Sequence, residues 1–160
     1  AITLNNLFVG VRCFIYGILG GIGTFLVLFQ NCMMLGTFQY FFYQHGVFWE
    51  SVRGIWIHGS MEIFAIVIES ACGFILGASI LFPRTFSRLN SFKIGFKDSL
   101  KIFLSTIPFT IAAGMLEGFV TRYALQIPNW LNVFIILGTL SLISFYFLIF
   151  PFIVHKKLKA

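Results

Sequence analysis

Four ionisable residues, His58, Glu62, Glu69 and Glu117, stand in stretches built otherwise of Phe, Ile, Leu and small residues. At about 100° per residue the first three fall within roughly 40° of one another on a helix, so they face one neighbour. Three chemistries fit. As metal ligands, His58 and Glu62 at i and i+4 present a nitrogen and an oxygen on one face, and Glu117 would supply a third ligand. The stretch reads H-G-S-M-E, which lacks the second His of the H-E-x-x-H hydrolases. As a proton or ion relay, the stripe would line a path through an oligomeric transporter or channel. As structure, a Glu bonded to His58, Asn31 or Ser60 would fix helix registers or hold a partner's helix. No catalytic residue stands out, since Ser60, Ser70 and Ser105 lack a His and Asp arrangement. The glycines from Gly17 to Gly23 follow no strand, so they form no phosphate loop, and no cofactor is expected.

The elements that must hold these groups are membrane helices. Of the 160 residues, 59% are hydrophobic and 10% charged, where a soluble domain is usually about a quarter charged. Apolar runs exceed the roughly 18 residues that a span requires. The runs predict an all-α, polytopic transmembrane bundle of about four spanning helices plus one interfacial or re-entrant helix, with residues 1–160 forming a single integral membrane domain. The first run covers about residues 7–36, with Gly17, Gly20 and Gly21 allowing close helix approach. Residues 38–52 mix aromatics with Gln39, Gln44, His45 and Glu50, as an interfacial or re-entrant helix does. The second run, about 53–82, ends at Pro83 and carries His58, Glu62 and Glu69; on it Gly59, Gly73 and Gly77 are further packing positions, as is Gly118 beside Glu117. The third, about 99–120, contains Pro108, where a kink is expected. The fourth, about 130–154, is almost wholly apolar and faces lipid.

The net charge of +6 would suggest nucleic acid in a soluble chain, but the basic residues sit where membrane anchors belong. Arg84, Arg88, Lys93, Lys97 and Lys101 surround one connection, and Lys156, Lys157 and Lys159 close the chain, so both regions are expected on the cytoplasmic side and nucleic acid is not an expected partner. Cys13, Cys32 and Cys72 lie in apolar runs without CxxC spacing, which argues against disulfides and zinc knuckles. The chain starts at Ala1 without Met or a signal-peptide pattern, as the membrane part of a longer protein would.

Three stretches carry a family resemblance: GTFQYFFYQ from Gly36, IWIHGSME from Ile55 and LEGF from Leu116. They resemble the stage II sporulation protein M family, with His58, Gly59 and Glu62 in its His-Gly-x-x-Glu signature and Glu117 and Gly118 in the third stretch. The strings Ile80 to Pro83 and Phe119 to Arg122 are similar to its Bacteroidota branch. The resemblance implies a multi-pass protein of the bacterial cytoplasmic (inner) membrane without an established catalytic activity. The sporulation namesake is a membrane scaffold for peptidoglycan-remodelling partners. Members of the branch are commonly longer, and Glu69 and Cys72 stand where small residues are expected. The expected function is a non-enzymatic scaffold or subunit of an envelope complex, its partners being the bilayer, other membrane or envelope proteins, and further copies of itself. The alternatives are the oligomeric transporter or channel and, more distantly, an intramembrane metal-dependent hydrolase.

Overall fold

A computed structural model describes residues 2–159, leaving Ala1 and Ala160 outside. Among the described residues every regular element is helical, and four helices are long and apolar enough to cross a membrane: 22–44, 48–81, 88–123 and 129–159. A shorter apolar helix, 3–19, precedes them.

The first apolar run is divided in two. Helix α1 (Ile2–Ile15) tightens into a 3-10 turn (Tyr16–Leu19), and α2 (Ile22–Gln44) begins three residues later. Between them Gly20 and Gly21 adopt φ of +67° and +86°. Residues with a Cβ rarely adopt such angles, so a glycine pair can end one helix and start another without strain. The chain reverses there. Along α3 (Phe48–Leu81), α1 meets Glu62 at Asn6, Glu69 at Gly10 and Leu81 at Gly20, so it runs parallel to α3. Helix α2 meets Gly73 at Thr24 and Ser51 at Gln39, so it runs back antiparallel. The short fifth helix thus lies at the start of the chain. Residues 38–52, read from sequence as an interfacial element, are instead the end of α2, a tight turn at Gly46 and the start of α3.

Helix α3 is the centre of the bundle, packing against α1, α2, α4 and α5. Helix α4 (Arg88–Phe119) starts at Ser87, whose hydroxyl accepts from the Asn90 amide, and continues through Pro108. The apolar core gathers Phe14, Cys72, Leu76 and Phe103 from α1, α3 and α4, with the Phe14 and Phe103 rings stacked at 5.0 Å. Helix α5 (Asn129–Ser144) passes through a π-helical turn (Phe145–Ile149) into α6 (Phe150–Lys159). Within α5 only Asn132 and Ile143 are buried, and the rest of that face suits lipid.

Arg84 lies in the short connection after α3, while Arg88, Lys93, Lys97 and Lys101 occupy the first turns of α4. Helix α4 and the α5–α6 helix are each long and apolar enough to cross once, and one crossing by each would return Lys156, Lys157 and Lys159 at the end of α6 to the side of that connection.

Candidate functional site

The stripe on α3 faces α1 and α4. Glu62 Oε1 accepts from Asn6 Nδ2 of α1 at 2.5 Å. Glu69 Oε1 accepts from Thr106 Oγ1 of α4 at 2.8 Å, and its carboxylate fills the space that Gly10 leaves open. His58 Nδ1 shares a hydrogen bond of 2.9 Å with Thr121 Oγ1, just beyond α4, and its Nε2 lies 4.0 Å from Glu117 Oε1. The sequence therefore placed the four residues around one face, but not their partners. Asn31 donates to Val27 in its own helix, and Ser60 bonds Thr139 of α5 at 3.0 Å, so neither holds Glu62.

The depth of the stripe follows from helical rise. Arg53 precedes Glu62 by nine residues, about 14 Å, and Cys72 follows by ten, about 15 Å. Cys72 packs on Phe14, two residues from exposed Arg12, and the same cluster includes Leu100 beside exposed Lys101. Charged residues thus bracket the segment, with Glu62 midway. A carboxyl group facing lipid at that depth costs about 3 kcal/mol or more, which is offset only by protein or water contacts.

Beside Glu62 a cleft of about 210 Å³ opens between α1, α2 and α3, lined by Asn5, Asn6, Asn31, His58, Glu62 and apolar groups such as Leu28 and Leu35. Amide and carboxylate groups set among apolar walls suit either a polar solute or an inserted side chain. Among the described residues, no three His, Cys, Asp or Glu side chains come together in a set able to hold a metal ion.

Glycines set the helix separations. A Cβ at Gly17 would fall on the Gly73 backbone, one at Gly73 on the Cys13 carbonyl and Thr24, and one at Gly77 on the Gly20 and Gly21 backbone. Gly59 meets only its own helix at ordinary distance, and Gly118 faces open space. Two close approaches had no signal in the four-residue glycine spacing, Gly10 on Glu69 and Gly95 on Ser79, while Gly114, four residues before Gly118, meets Thr3. Close backbone contact also lets Thr24 Oγ1 donate to the Cys13 carbonyl at 2.7 Å.

A second polar cluster, absent from the sequence reading, ties down the loop between α4 and α5. Arg53 donates through Nη2 to the carbonyls of Ala124 at 3.2 Å and Ile127 at 2.9 Å, and Asn132 donates to Ala124 at 2.8 Å. In the sequence Arg53 marks only the edge of an apolar run.

The stripe bonds make a direct prediction. Thr106→Val removes the hydroxyl that reaches Glu69 and leaves a buried carboxyl group without that partner, at an expected cost of about 1–3 kcal/mol. The thermal midpoint in mild detergent would fall accordingly; an unchanged midpoint would show the bond to be idle.

Comparison with protein families matches residues 1–122 to Stage II sporulation protein M. The match takes in α1 to α4 and every member of the stripe. No curated protein and no solved structure matches. A match over most of the chain, joined to four helices able to cross a membrane, leads to one conclusion: the chain is a multi-pass membrane protein belonging to the Stage II sporulation protein M family.

Proposed function

We propose that this protein is a non-enzymatic scaffold or subunit of an envelope complex in the bacterial cytoplasmic membrane. The observation that carries the reading is the use made of the buried and half-buried polar groups of α3. Glu62, Glu69, His58 and Ser60 each bond a side chain from a different part of the fold, which spends their polarity on holding α1, α4, the outer loop and α5 at fixed registers around α3. A rigid bundle of that kind presents constant surfaces to neighbours in the membrane. The cytoplasmic placement of the Arg84 to Lys101 region and the basic tail follows the excess of positive charge on that side.

The cleft beside Glu62 favours a second reading, in which an oligomer passes an ion or a lipid-like solute along the stripe. One experiment separates them. Tagged protein is purified from its native membrane in mild detergent, and co-purifying proteins are quantified by mass spectrometry. Envelope proteins at stoichiometric amounts, lost from Gly17→Leu and retained by Glu62→Gln, are expected from a scaffold. Protein that emerges without other proteins sinks that reading and leaves transport, to be followed by solute uptake in vesicles carrying wild type or Glu62→Gln.

A further inference from the structure

The face of α2 turned away from the bundle is not an ordinary lipid-facing surface. Only Gly23 and Thr24 of this helix are buried. Asn31, Leu28 and Leu35 look into the cleft, and Gln39 reaches Ser51. On the far side stand Leu26, Gln30, Met33, Thr37, Tyr40 and Gln44, all exposed. At 100° per residue these six fall within an arc of about 80°, centred nearly opposite Leu28 and Leu35. Their spacing alternates four and three, the a/d frame of a helix pair, and the a positions are Gln30, Thr37 and Gln44.

Gln30 lies six residues from Thr24 and nine from Gln39, about 9 Å and 14 Å from the two ends at which α2 is tied to α3. That places a carboxamide well inside the apolar layer, exposed and without a side-chain hydrogen bond among the described residues. Leaving such a group in hydrocarbon costs several kcal/mol. The same side chain carries both a donor and an acceptor, so two copies related by a two-fold axis satisfy each other. Thr37 has the same property. Gln44 Nε2 donates to Tyr40 Oη at 3.1 Å within one chain, leaving the Gln44 carbonyl and the Tyr40 hydroxyl proton for the opposing pair.

We propose that α2 pairs with α2 of a second copy as a parallel helix dimer, with Gln30, Thr37 and Gln44 meeting their own counterparts along the seam. Parallel pairing follows because both copies share one orientation in the membrane, and a two-fold axis along its normal sets each residue against itself. A partner with a different helix would need to match three polar groups at seven-residue spacing; a second copy does so by symmetry. Leu28 and Leu35, which line the cleft, lie on the side of α2 opposite this seam.

Cysteine cross-linking in native membranes tests the pairing. In a Cys32→Ala background, Met33→Cys and Thr37→Cys are expected to give an oxidised dimer, while Leu28→Cys and Leu35→Cys on the cleft side give about ten-fold less. Gln30→Leu, at an exposed position, should keep the thermal midpoint of the solubilised monomer and weaken dimerisation about ten-fold by energy transfer in vesicles. Equal cross-linking on both faces, a species that stays monomeric at all protein-to-lipid ratios, or seam cysteines that couple only to a different protein would each overturn it.

Discussion

Replacing Gly77 with leucine is expected to detach the α1–α2 hairpin from α3. A Cβ at this position lands on the Gly21 nitrogen, the Gly20 carbonyl carbon and the Gly17 oxygen, all backbone atoms of the reversal. Backbone cannot rotate aside as a side chain can, so the helices must separate. Overpacking usually costs about 1–3 kcal/mol, and a bulky side chain driven into main chain belongs at or above the top of that range. The thermal midpoint in detergent should fall by roughly 6–12 °C. The core would suffer as well, because Phe14 leaves Cys72, Leu76 and Phe103 when α1 moves. Gly118→Leu is the control: it points into open space and should change stability by no more than about 0.5 kcal/mol. Equal midpoints for Gly77→Leu and wild type would mean that the hairpin is not seated on Gly77.

The same glycines explain where the sequence reading stopped short. Hydrophobic runs and basic flanks locate spans well because the apolar layer imposes a length on them, and α3, α4 and α5–α6 follow the second, third and fourth runs. The first run is equally apolar on both sides of Gly20 and Gly21, so hydropathy cannot tell a continuous helix from two antiparallel ones. What distinguishes them is backbone conformation. Two adjacent glycines free to take positive φ permit the break, and the matching bare surface at Gly73 and Gly77 on α3 receives it. Close packing was legible; the reversal needed both partners in view. Residues 38–52 were misplaced for a related reason. Aromatic and polar side chains mark membrane-interface depth for an interfacial helix and for the ends of two spans alike, and only the turn at Gly46 separates the two.

The stripe shows a similar division. Helical periodicity selects His58, Glu62 and Glu69 as one face, and the cost of ionisable groups in lipid says that this face meets protein. Periodicity carries nothing about which residue stands opposite. Asn6, Thr106 and Thr121 are ordinary polar residues until tertiary packing brings them to Glu62, Glu69 and His58. Their hydrogen bonds connect α3 to both sides of the bundle, so they set the sliding position of each helix where apolar contacts alone would tolerate several. On the scaffold proposal these groups bear on function, because a surface offered to neighbours is only as reproducible as the registers beneath it.

Arg53 extends that argument to the side of the bundle opposite the basic connection, and its replacement should have the second largest effect. Arg53→Met keeps much of the apolar stem but removes the donor to both the Ala124 and Ile127 carbonyls. Hydrogen bonds from a charged group contribute about 1.5–3 kcal/mol each, and the two share one nitrogen, so a total loss near 3 kcal/mol is expected. Asn132 still donates to Ala124, which confines the damage to the second half of the loop. The amides of Gln126 and Ile127, now bonded to the Tyr123 carbonyl, should therefore exchange hydrogen faster by roughly 100-fold, matching about 2.7 kcal/mol of lost local protection. Arg53→Lys retains a charge but not the planar fork, and should fall between the two. Combining Arg53→Met with Asn132→Ala frees the Ala124 carbonyl entirely, so the pair should be non-additive. Exchange at Gln126 and Ile127 that does not respond to Arg53→Met would show the loop to be held by its own turns rather than by Arg53.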